Sequence, residues 1–214
     1  DAPPSAEDVR PFIKITEHLT SLGYSVPNVI FQDIDDGFLL LEDFGDETYT
    51  NALAAGVDEK RLYQSAVDVL INLHSLEVSE AVPYDIESYD NEKLFAEVIL
   101  FLDWYLAGLL GDTVLEEVRN DFLNIWDKLL SSIKIKHETL VLRDFHADNL
   151  MWLPTRDGIR KCGLLDYQDA VRGFNAYDLM SLFEDARRDL KPGLASDLLD
   201  YYYEALPNFD RNEF

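Results

Sequence analysis

The chain has 214 residues, 47% of them hydrophobic, enough to bury a substantial core as one large domain or two unequal lobes and too apolar for a disordered polar chain. Lysine and arginine total 18 against 42 aspartates and glutamates, and the resulting net charge of −24 argues against a surface for the phosphate backbone of a nucleic acid. A nucleotide remains compatible with such acidity where a divalent metal offsets the phosphate charge.

From the start, Pro3 and Pro4 break structure and Ser5 is placed to cap a helix whose apolar positions are Val9, Phe12, Ile13, Ile15 and Leu19, ending near Gly23. No basic leader followed by an apolar segment opens the chain, so no secretory signal is expected. Val26 to Phe31 and Phe38 to Leu41 predict two strands around the acidic turn DIDDG, and the segment EDFGDETY then leads away as a connector. Helical spacing returns over Arg61 to Leu76, with further helices expected over Asn91 to Leu110 and Leu115 to Ile133. Within Asn91 to Leu110, the run Val98 to Leu110 is the most apolar stretch. It is interrupted by Asp103 and shorter than the ~20 residues a membrane helix needs, so a buried helix and no membrane partner are expected. ETLVLRDF reads as a strand, NLMWL and CGLLDY as a hairpin around PTRDG, and Asp178 to Arg188 and Leu194 to Leu206 as closing helices. The single cysteine, Cys162, allows no intrachain disulfide, and a reducing compartment, the cytoplasm, is the simpler expectation.

The chemistry concentrates in Leu142-Arg143-Asp144-Phe145-His146-Ala147-Asp148-Asn149, where an aspartate is followed five residues later by an asparagine directly after an apolar strand. Phosphoryl transfer needs a carboxylate near the attacking hydroxyl and an amide oxygen on a metal, and this spacing lets one tight loop offer both. Asp144 would orient or deprotonate the acceptor and Asn149 would hold magnesium. The strand Gly163-Leu164-Leu165 then delivers Asp166, 17 residues after Asn149, to bridge Mg²⁺ to the phosphates of ATP. An aspartate after a strand is often only a turn or cap, so the order of loop, hairpin and second aspartate carries the reading. Only about ten residues separate Asp166 from Tyr177-Asp178, too few for a segment that docks protein substrates, which favours a small acceptor.

LVLRDFHADNLMWL followed by GLLDYQDAVRGFNAYDL resembles the aminoglycoside phosphotransferase and choline kinase superfamily. DAPPSAEDVRPF, GFLLLEDFGDETY and LDYQDAVRG are similar to its bacterial branch of anomeric N-acetylmuramate and N-acetylglucosamine kinases. The resemblance implies an α+β, protein-kinase-like fold of two lobes. Residues 1–44 would be the remainder of a truncated nucleotide-binding lobe and hinge, and 45–214 a helical catalytic lobe carrying a short β-hairpin. It implies an ATP-dependent kinase of a sugar hydroxyl, with an amino sugar at its anomeric position ranked above an aminoglycoside or choline. A catalytically silent nucleotide-binding module is the alternative, and the oligomeric state is open. By the same resemblance Asp144 is the base, Asn149 and Asp166 are metal ligands, and the main chain of Leu41, Glu42, Asp43 and Phe44 reads adenine. His146 and Asp178 would support the loop. Leu142, Arg143 and Gln168 depart from the family pattern, replacing a histidine, a frequent glycine and a DFG-type glycine. No glycine-rich loop or nucleotide lysine precedes the first helix, so a nucleotide lid is expected from strands of a longer chain.

Other residues read more plainly. Glu17 fits an exposed helical glutamate better than a lysine's partner, and His18, His74 and His137 lack ligand spacing for zinc. His74 reads as a hydrogen-bonded helix histidine, and Tyr201 to Tyr203 as helix packing with one exposed ring. Arg172, Arg187 and Arg188 have the chemistry to pair with an anionic sugar, and Asp169 to bond a substrate hydroxyl or order its loop.

Overall fold

The computed structural model describes residues 8–111, 113–133 and 137–209. The cap read at Ser5 lies outside them. Helix α1 (Arg10–Ser21) carries proline in its first turn, buries Ile15 and Leu19, and ends as Gly23 turns left-handed at φ +87°. Strands β1 (Val29–Asp33) and β2 (Phe38–Leu41) form an antiparallel hairpin closed by Gly37 at φ +71°. The first strand begins three residues later than expected because Ser25 is already committed elsewhere. Its carbonyl accepts Leu164 N at 2.8 Å, Ser25 Oγ donates to the Arg160 carbonyl at 2.7 Å, and Arg156 donates to Ser25 Oγ at 2.9 Å.

Helix α2 (Tyr49–Ala54), unforeseen in the sequence, is capped by Thr48 Oγ1 accepting from Asn51 N. Helix α3 (Glu59–His74), capped by Asp58, runs through the middle of the molecule and buries Leu62, Tyr63, Ala66, Val67, Val69, Leu70 and Leu73. After the short α4 (Val78–Ala81), helix α5 (Asn91–Leu100) continues as a π-helix (Phe101–Leu106) into α6 (Ala107–Leu110), and α7 (Glu116–Ser132) returns beside it. Here the structure corrects the expectation of a buried helix. Leu102 is buried, but Leu100, Phe101, Tyr105, Leu109 and Leu110 are exposed and Trp104 is 77% exposed. The two helices stand as an arm whose seam is filled by Phe101, Phe122 and Trp126, with successive centroids 5.8 and 6.2 Å apart. One seam cannot cover apolar residues pointing in every direction.

Strand β3 (Glu138–Val141) pairs antiparallel with β6 (Val171–Phe174), and β4 (Leu150–Trp152) with β5 (Cys162–Leu164) across a 3₁₀ turn (Gly158–Lys161). Helices α8 (Ala176–Phe183) and α9 (Leu194–Ala205) close the described chain. Helix α8 stops five residues earlier than expected, where Asp185 Oδ1 accepts from Arg187 N in a turn. One buried cluster joins Ile15 and Leu19 of α1, the face of α3, Leu164 of β5, and Leu198 and Tyr202 of α9. The β1–β2 hairpin contributes no residue to it among the described residues, and Ile30, Phe31, Phe38 and Leu40 are exposed.

Candidate active site

β3 ends at Val141 because the next two amides leave the sheet for a carboxylate. Leu142 N and Arg143 N donate to Asp178 at 2.8 and 2.9 Å. Asp178, in the first turn of α8, is 1% exposed; burial pushes its carboxyl up to about 7, against the two amide donors and aided by the charge of Asp144. Arg143 takes a left-handed backbone at φ +70°, and its carbonyl accepts from Ser181 Oγ at 3.1 Å. Asp144 follows, exposed, with no hydrogen bond to its carboxylate among the described residues. The loop closes on itself through Asp144 N to the Leu142 carbonyl, His146 N to the Asp144 carbonyl and Asn149 N to the His146 carbonyl. His146 is buried beneath it, its Nε2 3.4 Å from the Asn149 amide nitrogen.

The β4–β5 pairing brings the second carboxylate alongside, with Leu165 N donating to the Asn149 carbonyl at 3.0 Å. Asn149 Nδ2 lies 3.1 Å from the Asp144 carbonyl and 3.2 Å from Asp166 Oδ2. With the nitrogen so engaged, the amide oxygen remains available. Asp166 is also left-handed, at φ +60°, and its Oδ1 accepts from Gln168 Nε2 at 2.7 Å. Strained positions of this kind gather at functional sites. The donor set is hard oxygen, and no group of three or more His, Cys, Asp or Glu among the described residues forms a cage. That fits Mg²⁺, which is commonly held by one or two protein oxygens with water and substrate phosphates.

Sequence reading missed the support behind Asp166. The buried Tyr167 hydroxyl bonds Thr16 Oγ1 of α1 at 2.8 Å, and its ring stacks on Phe12 at 5.2 Å. Phe12 fits the apolar spacing of α1, but the Thr16 hydroxyl lies 151 positions from Tyr167 and carries no local signal.

At the end of β2, Glu42 N donates to the Asn28 carbonyl at 2.8 Å, and the Glu42 carboxylate binds Asn28 Nδ2 and Arg156. Arg156 also lies over the Phe44 ring at 4.7 Å. Asp43 is exposed and Leu41 and Phe44 are half-buried. Gly163 permits this packing, because a Cβ there would sit 3.1 Å from the Phe44 ring and 2.9 Å from Leu153.

The remaining candidates separate. Asp169 is exposed on the rim of a cavity of about 560 Å³ that Lys14, Arg143 and Gln168 also line. Arg172 is engaged by Glu138 of the neighbouring strand, Arg187 by Asp185 and Arg188 by the buried Glu59. His74 is buried with Nδ1 2.7 Å from the Tyr202 hydroxyl, and burial holds its pKa down at about 3. Of the tyrosine run, Tyr202 is buried and both neighbours are half-buried, so none of the three rings is fully exposed.

The sequence profile of the Phosphotransferase enzyme family matches residues 1–212. The chain belongs to that family. It is 34% identical over 219 residues to the N-acetylmuramate/N-acetylglucosamine kinase of Caulobacter vibrioides, covering 98% of this chain and 59% of that protein. It is 38% identical over 186 residues to the protein of that name from Pseudomonas aeruginosa, covering 87% and 52%. The chain thus spans between half and three-fifths of the length of these relatives. Among solved structures, the gentamicin complex of APH(2'')-IIa superposes with a TM-score of 0.63 at 21% identity, covering 93% of this chain and 67% of that one. A choline/ethanolamine kinase family protein from Mesorhizobium loti gives 0.59 at 14% identity, covering 93% and 65%. These place the family member in the α+β, protein-kinase-like fold.

Proposed function

We propose that the protein is an ATP-dependent kinase that phosphorylates an amino sugar of the N-acetylmuramate/N-acetylglucosamine type at its anomeric hydroxyl. The observation that carries this is that the Asn149 amide nitrogen bonds both the main-chain carbonyl of Asp144 and the carboxylate of Asp166, which sets the three residues side by side. The names of the relatives support the acceptor class. Asp144, with its carboxylate free, orients the acceptor hydroxyl and takes its proton. Asn149 Oδ1 and Asp166 would hold Mg²⁺, which supplies neutralisation of the phosphate charge. His146 and Asp178 keep the loop in shape. The chain from Leu41 to Phe44 presents main-chain groups to adenine; Glu42 N is already bonded to Asn28, leaving the carbonyl of Glu42 and the amides of Asp43 and Phe44. Asp169 and Arg172 flank the acceptor side in this reading, Arg172 contributing only after release from Glu138. No helix of the described chain is long and apolar enough to cross a membrane. On the single cysteine, we assign the reaction to the reducing cytoplasm.

The test is magnesium-dependent ADP release by the full-length protein with N-acetylmuramate, N-acetylglucosamine, aminoglycosides and choline. Amino-sugar turnover that falls by about 10²- to 10⁴-fold in Asp144→Asn, with the fold retained, supports the proposal. Acid lability of the product phosphate checks the anomeric position. Turnover with aminoglycosides or choline alone reassigns the acceptor, and ATP binding without turnover leaves a silent nucleotide-binding module.

A further inference from the structure

Arg143 stands directly before Asp144 in a left-handed conformation, which an L-residue keeps only where its surroundings over-determine it. Two anchors come from α8, through Asp178 and Ser181. The third comes from the arm. Arg143 Nη2 donates to Glu97 Oε1 at 2.6 Å, and the guanidinium lies 5.7 Å from the centre of the Tyr89 ring. The Tyr89 hydroxyl bonds the other Glu97 oxygen and pairs with the Tyr177 hydroxyl at 3.1 Å.

Glu97 belongs to α5, a helix that buries no side chain fully; Leu94 packs half-buried against Tyr89, Val141 and Val171. The Glu97 carboxylate is therefore the main polar tie between this helix and the catalytic loop. Arg143 Nε is buried without a hydrogen-bond partner among the described residues, so Glu97 provides the one ion pair of the guanidinium there. Without it, a half-buried charge would lack compensation and swing towards water, releasing the residue that aims Asp144.

We propose that Glu97 is a positioning residue: through Arg143 it fixes the turn that aims Asp144, making phosphoryl transfer depend on the seating of α5 against the loop. This rests on Asp144 as the reacting carboxylate of the kinase reading. The test compares the full-length protein with Glu97→Gln, which keeps shape and removes charge, and Arg143→Lys, which keeps charge and loses the planar fork. Two readouts are taken: amide hydrogen exchange of residues 142–146 against α3, and kcat with both KM values.

Glu97→Gln is expected to speed exchange in 142–146 and leave α3 unchanged. Its kcat should fall by about 10-fold or more with KM values within about twofold, because misplacement of a reacting group acts on the chemical step. Arg143→Lys should retain more kcat than Arg143→Met. Unchanged exchange in 142–146, or a rise shared by α3, overturns the proposal whatever the rate does. A parent kcat retained by Glu97→Gln overturns it too. Selective loosening of 142–146 in a protein that phosphorylates no acceptor supports the positioning role and defeats the kinase reading instead.

Discussion

Asp178 shows how much one buried carboxylate organises. It takes the two amides at the point where β3 gives way to the loop of residues 142–149, and neither amide has another acceptor among the described residues. Asp178→Ala should destabilise the protein by about 1–3 kcal/mol for each orphaned amide, measured by urea unfolding. Its pH signature has a definite sign. The folded carboxyl is raised to about 7 from 3.8, so the folded state holds this proton where the unfolded state has lost it. Its contribution is full below the unfolded value and is lost as pH rises from about 4 to about 7. The stability difference between the parent and Asp178→Asn should shrink across that window; a difference that grows would show an ionised, amide-stabilised carboxylate. The meeting of Asp144, Asn149 and Asp166 was legible because the two aspartates each follow an apolar strand, Asn149 ends the loop just before β4, and their spacing fits one loop and one hairpin. Thr16 and Glu97 were not, because their partners Tyr167 and Arg143 lie 151 and 46 positions away.

Among the elements, α1, α3 and α9 were readable from helical spacing of apolar residues, since a face buried against one core repeats with the helix period. β6 was missed, because four residues that pair with a strand more than thirty positions earlier leave little local pattern. The arm was misjudged for a different reason: composition reports how apolar a helix is, and only packing reports what covers it. Leu102→Ala should cost about 2–5 kcal/mol, whereas Trp104→Gln should stay within about 0.5 kcal/mol by thermal or urea unfolding. A large loss at Trp104 would show that the ring is covered in solution. The α3–α9 contact makes a second pH prediction. Buried His74 keeps a pKa of about 3 in the fold against 6.5 when free, so the unfolded chain gains the proton first on acidification. Its contribution is present above about pH 6.5 and lost as pH falls towards 3, and the parent should lose more stability there than His74→Gln. The two buried groups thus pull the acid limb of stability in opposite directions.

For the whole molecule, a net charge of −24 means that folding gathers like charges. Several ion pairs are at the surface, including Lys60 with Asp197 and Arg10 with Asp8, and exposed pairs of this kind contribute little. Raising NaCl from about 10 mM to about 150 mM shortens the screening length from about 30 Å to about 8 Å, so the melting midpoint should rise. A fall on adding salt would mean that the ion pairs outweigh the repulsion.

The knot at Ser25 has a mechanical consequence. Ser25 is fastened to β5 through Leu164, to the 3₁₀ turn through the Arg160 carbonyl, and to Arg156, which also grips Glu42 beside Phe44. A chain pinned this way behaves as a pivot. When the β1–β2 hairpin swings relative to the helical body, the displacement grows with distance from that corner and is smallest at Glu42 and Phe44. A molecule held there would keep its contacts even if the far end of the hairpin moved.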